Sequence, residues 1–328
     1  VSEVGFAVVG LGMGRSRAKQ IIDTQGARLV SVVDLNETLA QEVAEQHSCG
    51  WTTDLDDVLT NQEVDVVLVV TPSGLHAELA VRSLEAGKHT ISTKPMEVTP
   101  ERCDIMIAAQ QRTGKLLGID FQERYVESNQ YVKFAMDEGL LGKPVLGEAR
   151  LKWYRSQSYY DAGGWRGTWE MDGGGALTNQ SVHWVDLLQW IMGDVSRLWA
   201  KTATLTHTIE TEDFGSAMIE FESGAMGGIL GTTTFPGDPY AGLEIHGDEG
   251  GFISTRPKPE WYFLDGLENR RQRFERLTPA NNIIEDTVSA VLHETPLLCD
   301  AMEGRKSIAL LAAVYESGRL DGAAVTMS

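Results

Sequence analysis

The chain of 328 residues has little cysteine, a shortage of positive charge and no long apolar run. Its three cysteines, Cys49, Cys103 and Cys299, are widely separated, odd in number and without a CxxC pair, which excludes a disulfide framework and the usual thiolate zinc sites. With 28 Lys plus Arg against 47 Asp plus Glu, the formal net charge is −19. Such a balance disfavours nucleic-acid phosphates and anionic membrane surfaces as partners, and reads as a solvated acidic surface. No stretch approaches the ~18 apolar residues of a spanning helix. The apolar run 4–9 stands at the start without a basic lead-in or a small-residue cleavage site, so the expectation is a protein that is not secreted and resides in the reducing cytoplasm. Internal repeats, low-complexity tracts and a clean linker are also missing. What is present is length enough for two domains with a large core.

The first third alternates β-branched runs, at 4–9, 28–33, 64–70, 89–92 and 115–119, with helical patterns at 16–24, 37–46, 75–86 and 100–113. That alternation predicts βα units and a parallel sheet. After residue 119 the pattern changes to a helix at 128–138, a strand at 145–153, and a loop rich in Tyr, Trp and Gly at 154–175. Short strands follow at 198–205, 215–221, 225–232, 243–246 and 251–254, with turns carrying Gly, Asp and Ser, which favours an antiparallel sheet. Helices at 284–292 and 307–320 close the chain. The change of pattern sets a boundary near 121, giving domains 1–121 and 122–328.

Gly10-Leu11-Gly12-Met13-Gly14-Arg15 follows the first strand and opens a helix, the context of a dinucleotide fingerprint. Gly10 permits the tight turn, and Gly12 lets a pyrophosphate approach the positive helix terminus. The third glycine, Gly14, comes one position early, and Arg15 holds its usual place. Asp34 ends the second strand about 20 residues on, where a ribose 2′-hydroxyl is read. Its charge would repel a 2′-phosphate, and Leu35 and Asn36 supply no cation, so NAD is expected over NADP. Two further pieces lie at strand ends, where open α/β sheets bind ligands: Thr71-Pro72-Ser73-Gly74-Leu75-His76 and Thr93-Lys94-Pro95. His76 reads equally as a residue that orients a helix start, whereas Lys94, held extended by Pro95, is aimed out of the sheet.

Gly173-Gly174-Gly175 runs into a segment where Leu177, Val182, Val185, Leu188 and Ile191 recur at helical spacing. The glycines suggest a backbone open to close approach by a ligand. Asn179, His183 and Asp186 share a face at spacings of four and three. His183 titrates near neutral pH and suits a proton-transfer role, with Asp186 as its orienter or as a solvent-facing residue. A metal reading of His183 with Asp186 lacks a third and a fourth ligand nearby, so no metal is expected. Candidates for the substrate side are Tyr154, Arg155, Tyr159, Tyr160, Trp165, Arg166 and Trp169, whose aromatic members combine flat apolar faces with polar handles. Arginines there would add selectivity for an acidic or phosphorylated group. Gln122 and Arg124 follow the last strand of the first domain and are further candidates.

Taken in order, the Gly10 to Arg15 turn, Thr71 to His76, Gly87-Lys88-His89, Lys94-Pro95, Leu141-Gly142-Lys143-Pro144, the Gly173 to Asp186 segment and Tyr315-Glu316-Ser317 resemble the Gfo/Idh/MocA family of glucose-fructose oxidoreductase, inositol dehydrogenase and the rhizopine-catabolism dehydrogenases. The resemblance covers nearly the whole chain. It implies an N-terminal Rossmann domain and a C-terminal α/β domain on a large, mostly antiparallel open sheet that binds substrate and makes a homodimer or homotetramer. A nicotinamide cofactor and a carbohydrate or polyol substrate are implied too. Lys94 and His183 match the family's lysine and histidine beside the nicotinamide. Asn179 stands where many members have an aspartate, and Thr93 replaces the glutamate of Glu-Lys-Pro. Asparagine cannot accept a proton at neutral pH, so a relay through a carboxylate at that position is not available. The expected activity is an NAD(P)-dependent dehydrogenase acting on a ring hydroxyl through Lys94, His183 and Asn179. The competing readings are a non-catalytic sensor of NAD and sugar, and a dehydrogenase of a non-sugar.

Overall fold

Six consecutive residues without a polar side chain, Val4–Val9, form the first strand, β1, and every one is buried. Burial on both faces is what a central parallel strand requires. The computed structural model describes residues 3–254, 258–264 and 268–327. After β1 come α1 (Leu11–Asp23), β2 (Ala27–Val33), α2 (Glu37–His47), β3 (Gly50–Thr52), α3 (Leu55–Thr60), β4 (Val66–Val69), α4 (His76–Glu85), β5 (His89–Thr93), α5 (Pro100–Thr113) and β6 (Leu117–Asp120). Local chemistry sets several helix ends. Asn36 caps α2 by accepting the Leu39 amide, and Thr99 with Pro100 opens α5, which Gly114 closes in the left-handed region. All six strands pair in parallel in the order β3-β2-β1-β4-β5-β6. The order reverses between β1 and β4, which opens a crevice at the carboxyl ends of the strands.

The remaining elements are α6 (Glu127–Asp137), β7 (Pro144–Lys152), α7 (Gln157–Asp161), a π-helical turn over Ala176–Ser181, α8 (Val182–Met192), β8 (Val195–Ala203), β9 (Phe214–Phe221), β10 (Met226–Thr232), β11 (Tyr240–Gly247), β12 (Gly250–Ile253), β13 (Glu260–Phe263), α9 (Ile283–His293), α10 (Ala301–Arg319) and β14 (Val325–Thr326). Eight strands form a second sheet in the order β13-β12-β11-β7-β10-β9-β8-β14. Among the described residues only the β7–β10 pair of this sheet is parallel. The α8 helix packs on β7 and β11.

The packing divides the chain between Gln122 and Glu123, and residues 280–305, expected in the second domain 122–328, cluster with the first. One compact unit comprises Val1–Gln122 with Ala280–Arg305, and the other Glu123–Pro279 with Lys306–Ser328. Residues 280–305 return to the parallel sheet: α9 packs on β1, β2 and β6, and Ile119 donates its amide to the Cys299 carbonyl at 3.0 Å. A side chain at Gly118 would strike Leu297 at 2.9 Å, so the edge of the sheet is built to receive this returning segment. Periodicity along the chain carries no trace of that contact.

Candidate active site

In the first unit, the sequence motifs converge on the carboxyl ends of the parallel strands. Gly10 has φ +91, and a Cβ there would lie 2.7 Å from the Val70 carbonyl oxygen, so only glycine makes the turn. A Cβ on Gly12 would meet nothing within 4 Å, so the first turn of α1 is open to a ligand. A Cβ on Gly14 would lie 3.0 Å from Val8 Cγ1, which makes this the glycine that lets α1 pack on the sheet. The third glycine's work is thus done one position early, and Arg15 and Met13 are exposed beside it. Asp34 accepts the Leu11 amide at 2.7 Å on one oxygen and the Asn36 amide at 2.8 Å on the other. This places a carboxylate against the α1 N-terminus, where Asp34 still has lone pairs for ribose hydroxyls. Thr71 Oγ1 is buried without a hydrogen-bond partner in the protein. An open helix start, an anion beside it and an unsatisfied buried hydroxyl fit a dinucleotide, with Gly10, Gly12, Met13, Asp34 and the 71–73 loop as the residues to hold it.

His76 is not free to touch a cofactor. It is buried, with Nδ1 3.0 Å from the Pro95 carbonyl and Nε2 2.9 Å from the Thr71 carbonyl, so it ties the two loops together. Burial pushes its pKa down. Glu97, wholly buried, accepts the Ala77 amide at 3.1 Å and pairs with Arg102 at 2.9 Å, holding the same loops from behind. Thr93, in the place of the family's glutamate, donates to the Val69 carbonyl at 3.2 Å. The half-buried Lys94 follows, and its peptide bond to Pro95 is cis. Strand register sets Thr93 opposite Asp120, a buried carboxylate paired with Arg17. Burial raises the Asp120 pKa, and the Arg17 and Lys94 charges oppose the rise. Sequence reading passed over Asp120 and Arg17. The available signal was a lone aspartate closing an apolar strand at the ligand-binding edge.

In the second unit, two of the three glycines, Gly174 and Gly175, serve the protein's own packing. Gly174, at φ +154, would put a Cβ 2.1 Å from the Tyr315 hydroxyl, and Gly175 would put one 2.1 Å from the Glu212 carbonyl oxygen. The expectation of close approach by a ligand is therefore replaced by close approach to Glu212 and Tyr315. Glu212 is buried and accepts the Gly175 amide at 3.1 Å, the Leu177 amide at 2.8 Å and the Tyr315 hydroxyl at 3.0 Å. Burial raises its pKa to about 7, against the pull of those donors. Tyr315 also meets the Thr178 hydroxyl at 2.8 Å. This carboxylate holds the start of the π turn, and sequence reading gave no reason to choose it.

The residues the sequence put on one helix face divide between two kinds of helix. Asn179 lies in the π turn, and His183 and Asp186 lie in α8. From Asp172 to Gln189 every residue is buried except Asn179 and His183, which stay partly accessible. The Asn179 amide nitrogen donates to buried Asp172, and its oxygen accepts Gln180 Nε2 at 2.5 Å. Asp186 is buried in a two-bonded pair with Arg124, at 2.8 and 2.7 Å, and the guanidinium also stacks on Trp190. Arg124 is correspondingly buried and is corrected from substrate contact to core ion pair.

The other substrate candidates separate as well. Tyr160 is buried, bonds Thr233 at 2.8 Å, and burial pushes its phenol up to about 12, so it is a packing residue. Gln122 is exposed and accepts Arg17 at 3.3 Å. Trp169 packs edge-on against Tyr315 at 5.0 Å. Tyr154 is exposed. Trp165 and Arg166 stay half-buried with Arg155 and Tyr159 in one stack. Among the described residues, no three His, Cys, Asp or Glu side chains are grouped to hold a metal ion.

Comparison with known proteins agrees with this geometry. Residues 4–121 match the oxidoreductase family's NAD-binding Rossmann fold, and residues 129–253 match the GFO/IDH/MocA C-terminal domain. The WlbA dehydrogenase from Bordetella pertussis, solved in complex with NADH and UDP-GlcNAcA, is 32% identical, with a TM-score of 0.91 over 100% of this chain and 98% of that one. The scyllo-inositol 2-dehydrogenase (NAD(+)) of Bacillus subtilis is 27% identical over 77% of this chain and 74% of its own length. The 2,7-anhydro-N-acetylneuraminate hydratase of Mediterraneibacter gnavus is 29% identical over 58% of this chain, and the match spans only 50% of that relative. Strand order, the placement of the glycine turn and both matched halves agree, and the chain belongs to the Gfo/Idh/MocA family of oxidoreductases.

Proposed function

We propose that this protein is an NAD-dependent dehydrogenase that interconverts a ring hydroxyl and the corresponding ketone in a sugar, sugar derivative or cyclitol. The observation that carries the reading is the accessibility of Asn179 and His183 alone in an otherwise buried stretch. Keeping two polar side chains open on an apolar segment costs burial and is the mark of a site. NAD, when bound, supplies the nicotinamide carbon that accepts or returns hydride. In this reading His183 takes the hydroxyl proton as the C–H bond breaks, and Lys94 is the cation that stabilises negative charge as it develops. Asn179, its nitrogen committed to Asp172, positions the substrate hydroxyl through its amide and transfers no proton. Asp34 selects NAD, since a 2′-phosphate would be set against its charge.

A screen of sugars, inositols, sugar acids and nucleotide sugars tests the reading by NADH absorbance. Turnover is expected with NAD and less with NADP. No turnover across the panel, with NAD still bound, would make the protein a sensor of cofactor and sugar. On an active substrate, Lys94→Ala and His183→Ala should each lower kcat roughly 10²- to 10⁴-fold. Near-full activity in either variant removes that residue from the mechanism. We further propose a cytoplasmic homodimer or homotetramer assembled through the second sheet. The low cysteine content, with three widely separated cysteines, supports the reducing compartment.

A further inference from the structure

Two arginines of the second unit are held in a way that ordinary surface arginines are not. The Arg155 guanidinium lies 4.8 Å from the Trp153 ring and 4.9 Å from the Tyr159 ring. Arg166 lies 4.9 Å from the other neighbour of that stack, the same Tyr159, and 4.7 Å from Trp165. The result is an alternating pile, Trp153, Arg155, Tyr159, Arg166, Trp165. Stacking strips water from the guanidinium faces and leaves the N–H edges for a planar or tetrahedral oxyanion.

The pile is anchored. The Arg155 amide donates to the Thr233 carbonyl at 2.9 Å, and its own carbonyl is held at 2.8 Å by His207 Nε2, whose Nδ1 meets Asp213 at 2.9 Å. Arg155 Nε donates to Gln180 Oε1 at 3.1 Å, and Gln180 donates on to Asn179 at 2.5 Å. Thus Arg155 is one side chain removed from Asn179. Among the described residues neither Arg155 nor Arg166 has an ion-pair partner, although the chain carries 47 acidic residues. Arg166 keeps Nε buried without an acceptor. Arg155 donates to Gln180 at 3.1 Å and Arg166 to the Ala162 carbonyl at 2.8 Å, both neutral acceptors, so both charges lack the counter-ion that a ligand anion would supply.

We infer that the substrate is an anionic sugar, whose carboxylate or phosphate oxygens are taken by Arg155 and Arg166. The inference rests on the dehydrogenase reading above and narrows its substrate class. Two sources of the oxyanion are possible, a carboxylate on the ring or a phosphate attached to it, and matched pairs separate them. Initial rates with NAD are compared for glucose against glucuronate, glucose against glucose 6-phosphate, and galactose against galacturonate. The charged member of at least one pair should have the higher kcat/KM by roughly 10-fold or more. That preference should fall as salt rises, and shrink in both Arg155→Gln and Arg166→Gln, whose loss is larger for the charged member than for the neutral one. Neutral members used as well as charged ones in all three pairs would overturn the inference and leave the dehydrogenase reading intact. If no compound is oxidised, the dehydrogenase reading fails and the inference is read by binding. Quenching of tryptophan fluorescence by glucuronate, glucose 6-phosphate or galacturonate, weakened in Arg155→Gln, supports it, and no quenching by any of the three overturns it.

Discussion

Glu212 shows what a single side chain can impose. It is buried under the π turn and titrates at about 7, whereas an exposed glutamate titrates near 4.3. Between those values the folded protein keeps a proton that the unfolded chain has released. The contribution of this carboxyl is therefore fully present below about pH 4.3 and is lost as pH rises through about 7. Glu212→Gln should remove that dependence, so that urea-unfolding free energies of parent and variant diverge by up to about 3 kcal/mol between the two ends of the window. Parallel curves would show that the carboxyl is ionised throughout. Gly175 is the other decisive residue, because its neighbour is backbone that cannot yield. Gly175→Ala should cost roughly 1–3 kcal/mol or more in the same measurement.

At the scale of elements, the first turn of α1 and the π turn behave in opposite ways. Gly12 lies in a helix with empty space around its missing side chain. Gly12→Ala should leave stability unchanged or raise it by about 0.4–1 kcal/mol, while weakening NAD binding by roughly 10-fold or more. Calorimetric titration with NAD beside thermal unfolding checks both halves, and unchanged affinity would place the pyrophosphate elsewhere. The π turn was beyond sequence reading for a physical reason. Apolar spacing from 177 to 191 predicts one continuous helix, but Ala176–Ser181 sits over strands whose Gly215 and Gly231 admit Leu177 and Ser181 at close range. A sheet surface shaped by distant glycines therefore sets the winding. Short pieces such as β3, α3, α7 and β13 span too few residues to show any period.

At the scale of the molecule, residues 280–305 belong with the parallel sheet although the chain reaches them only after building most of the second unit. Residues 1–122 alone would leave Gly118 uncovered and the Ile119 amide without its Cys299 acceptor. Such a fragment should unfold without cooperativity, and joining 280–305 to it through a flexible linker should restore a cooperative thermal transition. A cooperative transition in 1–122 by itself would make the returning segment dispensable.

The sequence by itself determined the parallel sheet, the glycine turn with Asp34 and the candidates Lys94, Asn179 and His183, because each rests on local periodicity or on residues close together in the chain. Tertiary structure alone decided that His76 ties loops, that Asp186 belongs to Arg124, that Asp172 holds Asn179, and that Glu212 props the π turn. Those partners lie from 5 to 62 residues apart along the chain. Burial and hydrogen bonding at such separations depend on how the sheets bring segments together, and no spacing rule encodes that.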